Sequence, residues 1–278
     1  MNDTHGAPPR RLVWNAPEGH YGLCDRLRGL ACGLALARAQ NVKLCFWWPA
    51  NQPCPAEFGE LFEQPAFACV NGTLCEPPAD AVVQQLPANI VPEVFCKRLE
   101  ESGFGDIPFS HREAFQQAWR QEIRTLQPVA DVLVAVNACH NSGGNRPLIG
   151  IHLRRSDVVN ARVKPEITSS NLTSHDRVMW DEARLLAGKQ PTACFFLAAD
   201  EHAAFTNWAA MLQEAGIPFI HHPKPWTKQF RQTSMRDALV DLWMLGRCQQ
   251  VLGTVRSGFL RIAEALGADT RLLQVGVS

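Results

Sequence analysis

The chain carries no net charge. Its 27 basic and 27 acidic residues cancel, which excludes bulk attraction to nucleic acid or to an anionic membrane and requires any anion site to be built locally. The first thirty residues lack a basic start followed by an apolar run and a small-residue cleavage site. No stretch approaches the roughly 18 apolar residues of a transmembrane span. A soluble, cytoplasmic, bacterial-type protein is therefore expected. There is no CxxC pair among the ten cysteines, and Cys32, Cys45 and Cys194 fall inside apolar runs, so buried free thiols are expected rather than a disulfide framework. On that footing the sequons at Asn71 and Asn171 are chance matches. Also missing are GxGxxG, a phosphate-cradling GxxxxGK[ST] and a nucleophile motif, which counts against kinase and phosphatase readings. No DxD pair is present to bring a divalent cation to a diphosphate, and there is no internal repeat or low-complexity tract.

What is present is length enough, 278 residues, for two α/β domains of ordinary size with a cleft between them. In the C-terminal half, continuous apolar runs at Leu148 to Leu153, Cys194 to Ala198, Pro218 to His221, Val251 to Thr254 and Leu272 to Val275 alternate with helical patterns near 176–187, 202–215, 235–247 and 258–266. Strands that are apolar on both faces, wrapped by helices, predict a parallel sheet. The N-terminal half opens as one βαβ unit: a strand at Leu12 to Trp14, the loop APEGHYG, a long helix over about 23–40 and a strand at 43–48. Residues 49–110 are rich in proline and cysteine and show poor periodicity, while 111–124 and 128–138 have helical patterns. The cluster NSGGNRP, Asn141 to Pro147, reads as an interdomain linker, giving an N-terminal lobe over 1–140 and a C-terminal lobe over 147–278.

Three local constellations could carry chemistry. His152-Leu153-Arg154-Arg155-Ser156-Asp157 follows the strand LIGI. Ligands of open α/β sheets sit outside the carboxyl ends of the strands, and the planar guanidinium fork suits phosphate. Taken alone, a solvated basic strand end with Asp157 as its partner explains the same residues equally well. The second constellation is Gly22-Leu23-Cys24-Asp25-Arg26-Leu27-Arg28, where a glycine at a strand-to-helix turn and the free N–H groups of a first helical turn favour an anion. Asp25 there is also an ordinary first-turn residue. The third is Ser234-Met235-Arg236-Asp237-Ala238-Leu239-Val240-Asp241 followed by Gly253-Thr254-Val255-Arg256-Ser257-Gly258. Ser234 reads as an N-cap, Asp241 as a carboxylate able to accept paired donors from a guanine edge, and Ser257 and Gly258 as phosphate donors at a helix start.

In this order the three pieces resemble the fucosyltransferase superfamily that includes the nodulation and core α1,6-fucosyltransferases, the α1,2-fucosyltransferases and the protein O-fucosyltransferases. The HxRRxD motif at 152–157 is its most specific element. The resemblance implies a GT-B-type fold with two Rossmann-like lobes. GDP-fucose would be the donor in the C-terminal lobe, a glycan acceptor would face the N-terminal lobe, and the last helix could pack back on that lobe. It further implies inversion at the sugar carbon with no metal or other cofactor. Carried over, Arg154 would hold the β-phosphate and offset the charge growing on the leaving GDP, and Arg155 would support it. His152 would pack near the nucleotide, Asp241 would read guanine, Ser257 would bind phosphate, and Asp200 would lie near the nucleotide or ribose. Gly22, Asp25, Arg26, Asp157, Ser234, Arg236, Thr254 and Gly258 complete the expected donor-binding set. The chain departs from the family at Gly258, where some relatives have a side-chain donor, and at Asp25, often Asn. VVNARVKPE lacks the lysine and glutamate arrangement of the core α1,6 enzymes.

An inverting transfer needs a base for the acceptor proton; Asp157, Glu166 and Glu18 are candidates by position only. His221 and His222 are adjacent on a strand and point to opposite faces, so they do not make a metal pair. Cys139-His140 reads as incidental, and Trp47-Trp48 as the packed end of a strand. Two alternatives stand beside the fucosyltransferase reading: a GT-B transferase using another nucleotide sugar, and a catalytically idle sugar-nucleotide or glycan-binding module.

Overall fold

The structure is a computed structural model that describes residues 10–15, 21–71, 82–86, 97, 109, 112–154, 174–227, 232–254 and 257–273. The chain divides into two compact units, Met1–Val129 and Ala130–Ser278.

The first unit is built on β1 (Arg10–Asn15), α1 (Leu23–Gln40), β2 (Lys43–Trp47), β3 (Ala68–Asn71), β4 (Val82–Gln85) and α2 (Arg112–Thr125). Its strands pair in parallel in the order β3-β2-β1-β4. Helix α1 is buried along nearly its whole length from Leu23 to Ala37. It ends at Asn41, a left-handed residue (φ 52°) whose N–H returns to the last turn, as at many helix C-termini. Trp14 stacks on Phe46 (centroids 4.1 Å apart), and Trp48, Phe58 and Phe62 continue the aromatic core. Trp48 is fully buried with its Nε1 donating to the Ala56 carbonyl at 3.1 Å, so it packs the core, as expected. The strands β3 and β4 lie in the region whose periodicity gave no signal.

The second unit contains α3 (Ala130–Ser142), β5 (Leu148–Leu153), α4 (Ser174–Lys189), β6 (Cys194–Ala199), α5 (His202–Glu214), β7 (Phe219–Ile220), α6 (Met235–Arg247), β8 (Gln250–Thr254), α7 (Gly258–Leu266) and β9 (Asp269–Leu273). Among the described residues its strands all pair in parallel, in the order β7-β6-β5-β8-β9. β5 and β6 are buried at every position, as strands covered on both faces must be. Ile149, Ile151 and Leu153 pack with Met179, Ala183, Leu186 and Trp208 from α4 and α5. On the other face Gly150 lies so close to Leu245 and Val251 that an added Cβ would stand 2.8 Å and 3.1 Å from them.

The fold class is therefore the expected one, α/β with parallel sheets and GT-B-type. Two expectations change. The helix Ala130–Ser142 belongs with the second unit, not the first: it packs on α6, where Arg247 Nη1 donates to Asn137 Oδ1 at 2.9 Å. Asn141 to Pro147 is accordingly a short αβ turn inside that unit, with Gly144 at φ 65°, and not an interdomain linker. Of the eight free cysteines among the described residues, all but Cys69 are buried.

Candidate active site

The chain order of the five strands in the second unit makes the crossovers leave the sheet in opposite senses on either side of the β5/β8 boundary. That is the topological switch point, where open parallel sheets bind their ligands outside the carboxyl ends of the strands. Two of the three motifs terminate there. His152, in register with Gly253 across β5 and β8, lies at the end of one strand, with half-buried Arg154 immediately after it. Thr254 closes the other strand, and Ser257 and Gly258 open α7 just beyond.

The side chains converge as well. The His152 ring is buried and stacks on Phe259, centroids 4.8 Å apart and planes 5° apart, and its Nδ1 lies 3.3 Å from Ser257 Oγ. Ser257 is the N-cap of α7 yet makes no side-chain cap hydrogen bond; its hydroxyl is turned to the histidine instead. Gly253 lets α7 sit close, since a Cβ there would stand 2.8 Å from Leu260. The Asp200 N–H donates to the Leu153 carbonyl at 3.2 Å, which brings the end of β6 to the same edge.

Asp241 forms a second cluster. It lies in the buried face of α6 and is paired with Lys224, whose Nζ also donates to the Ala199 carbonyl, the last of β6, at 3.2 Å. Burial pushes the Asp241 carboxyl up, and the Lys224 ammonium pulls it only part of the way back. One turn earlier Asp237 accepts from Ser234 Oγ at 2.6 Å and meets His222 Nε2 at 2.8 Å. Burial alone would raise Asp237, but the hydrogen bonds from His222 and Ser234 outweigh it and hold the carboxyl below its ordinary value. Ser234 caps α6 by accepting from the Asp237 N–H at 3.1 Å. His221 and His222 lie just past β7 rather than on a strand, and they have different neighbours: His221 meets the Phe205 ring, 4.9 Å distant, and His222 meets Asp237.

Other expected donor residues have different surroundings. Arg236 is half exposed and paired with Asp131 of α3. Arg26 is fully buried: its Nε donates to the Tyr21 carbonyl at 3.0 Å, its Nη2 to Asn51 Oδ1 at 2.6 Å and its Nη1 to the Pro49 carbonyl, above the Trp48 ring. This guanidinium ties the start of α1 to the chain after β2 and is turned into the first unit's core. Burial lowers its pKa. Gly22 is the N-cap of α1, and Asp25 in its first turn is paired with Arg28. Arg155 and Asp157, and the base candidates Glu18 and Glu166, lie outside the described residues. Cys139 is a buried thiol that desolvation, with help from the Asp241 charge, raises to about 12. Among the described residues no group of three His, Cys, Asp or Glu side chains is placed to hold a metal ion. Lys224 and Phe259 escaped the sequence reading. Lys224 sits in a proline-flanked stretch of no clear period, but Phe259 directly follows the Ser257-Gly258 pair and could have been noticed.

No family model and no curated protein sequence matches the chain. Solved structures do. The fucosyltransferase NodZ from Bradyrhizobium superposes with a TM-score of 0.57 at 14% identity, covering 92% of this chain and 93% of that one. POFUT1 in complex with GDP matches with a TM-score of 0.55 at 13% identity over 96% and 98% of the two chains. A variant of Arabidopsis thaliana FUT1 in complex with GDP matches with a TM-score of 0.53 at 14% identity, covering 95% of this chain and 70% of that one. The chain thus shares the fold of these fucosyltransferases over 92–96% of its length.

Proposed function

We propose that this protein is a glycosyltransferase that moves fucose from GDP-fucose to a carbohydrate acceptor, with inversion and without a metal ion. The observation that carries the reading is the meeting of His152 and Ser257 at the switch point of the second sheet, with Arg154 and the start of α7 beside them. Two motifs that are about a hundred residues apart in sequence close on one edge, where a diphosphate would be received by a guanidinium and by helix N–H groups. Further support comes from the shared fold with NodZ, crystallised with GDP and soaked with GDP-fucose, and with POFUT1 in complex with GDP-fucose.

In the reaction the acceptor hydroxyl oxygen bonds to the anomeric carbon from the face opposite GDP as the bond from that carbon to the β-phosphate oxygen breaks. The acceptor proton passes to a base, for which Asp157, Glu166 and Glu18 are the candidates. Negative charge grows on the departing diphosphate, and Arg154, backed by Arg155, stabilises it more in the transition state than in the ground state. With no DxD pair in the sequence, the two arginines take the part a divalent cation plays elsewhere. Asp241 reads the base and Ser257 and Gly258 hold phosphate, with Thr254 beside them. Asp200 lies near the ribose.

The test is GDP release from GDP-fucose, with a panel of glycan acceptors and a chelator present, for wild type and Arg154→Ala. Turnover should fall by roughly 10²–10³-fold or more in the variant. If turnover persists in Arg154→Ala, or requires an added divalent ion in wild type, the assignment is wrong. A protein that binds GDP-fucose and never releases GDP in wild type is the binding module instead.

A further inference from the structure

His222 and Lys224 are two residues apart in the segment that follows β7, and Asp237 and Asp241 are four apart on α6. Side chains at i and i+4 of a helix share one face at about 6 Å, so one passing segment can reach both carboxylates. Both carboxylates are met from that segment, Asp237 by His222 and Asp241 by Lys224. The segment is further tied by the Thr227 N–H to the Gln232 carbonyl at 2.9 Å.

The Lys224–Asp241 pair is left with one group of each kind to spare. Both side chains are about 95% buried. Asp241 Oδ2 is held by Lys224, but Oδ1, also buried, accepts no hydrogen bond from any described residue. Among the described residues the Lys224 ammonium has two acceptors, Asp241 Oδ2 and the Ala199 carbonyl, for three N–H bonds, with the Trp226 ring 5.1 Å away. A spare acceptor beside a spare cationic donor matches a base edge that presents a ring N–H next to a carbonyl oxygen. The edge of a 6-oxopurine has this order; that of a 6-aminopurine has the reverse, setting an amino group against the ammonium and a bare ring nitrogen against the carboxylate.

We infer that Lys224 is a specificity-determining residue: it donates to the purine carbonyl oxygen while Asp241 Oδ1 accepts from the neighbouring ring N–H, so that the pair together selects a 6-oxopurine nucleotide. This assignment rests on the guanine-nucleotide reading of the site. Burial raises the Asp241 carboxyl, and the Lys224 ammonium, followed by His222, opposes that rise without cancelling it.

The experiment is calorimetric binding of GDP, of its 6-thio analogue, in which only the purine carbonyl oxygen is replaced, and of ADP, to wild type and to Lys224→Met. Thermal unfolding checks that the variant is folded. Wild type should bind GDP about tenfold more tightly than the 6-thio analogue, the effect of a hydrogen bond from a charged donor. In Lys224→Met that preference should shrink to about twofold or less, and the margin over ADP should narrow with it. A Lys224 that merely braces the fold would weaken all three ligands together with the preference intact, which overturns the inference. So does equal binding of GDP and the 6-thio analogue by wild type, a result that decides the matter even if the variant does not fold. Failure of wild type to bind any guanine nucleotide removes the functional reading itself and this inference with it.

Discussion

Arg26 shows how much one side chain's placement depends on helical phase. It stands three residues after Leu23 and four before Leu30, both buried, so a period of 3.6 puts it on the apolar stripe of α1. A buried guanidinium survives only if its donors are met, and here the Tyr21 and Pro49 carbonyls and Asn51 meet them. Arg26→Ala should lower the stability of the first unit by about 2–4 kcal/mol, because it strands these acceptors and opens a void. Arg26→Lys should recover little, since a single ammonium cannot reach three separated acceptors. Urea denaturation measures both, and a loss in Arg26→Ala of only about 0.5 kcal/mol would show the contacts to be incidental. Arg236 differs in kind: its pair with Asp131 is exposed on both sides, where ion pairs contribute little. Composition cannot separate these two arginines; the position of each on its helix does.

Between elements, the decisive contact in the second unit is the close approach of α6 and α7. Gly246 faces Leu266, and a Cβ there would lie 2.7 Å from the leucine Cβ. Gly246→Ala would add about 1 kcal/mol of helix propensity, but forcing the helices apart costs about 1–3 kcal/mol. The variant should therefore be less stable, with α7 and its Ser257 displaced from His152. Thermal unfolding that instead showed a gain would mean the two helices are not held at this distance. At this scale the sequence was informative where periods run long. The helices α1 and α4 to α7 and the strands β5, β6 and β8 follow from alternating apolar runs and helical patterns. The short strands β3 and β4 do not, because four residues among prolines carry no detectable period, and parallel partners are remote in sequence. The glycine cluster after α3 misled for a physical reason: a tight αβ turn and a domain linker ask for the same residues. Asn141 to Pro147 serves the turn, while the division between units falls beside Val129, in the stretch after α2.

Across the whole molecule, both units repeat one plan, a parallel sheet whose chain order turns back on either side of its first strand. That plan explains why HxRR and the Ser257-Gly258 helix start could be read as partners from sequence: each directly follows a strand, and the doubly wound order makes those two strands neighbours. It does not reveal Lys224, which reaches Asp241 from a segment that belongs to no helix or strand. The reading as a whole stands on a guanine diphosphate being held at the end of β5. Calorimetric titration of wild type and Arg154→Ala with GDP, GDP-fucose, GDP-mannose and UDP-glucose, with no metal added, tests this most directly. Selective binding of the guanine nucleotides by wild type, lost in Arg154→Ala, is the predicted result; no binding of any of them, or equal binding by the variant, would contradict it.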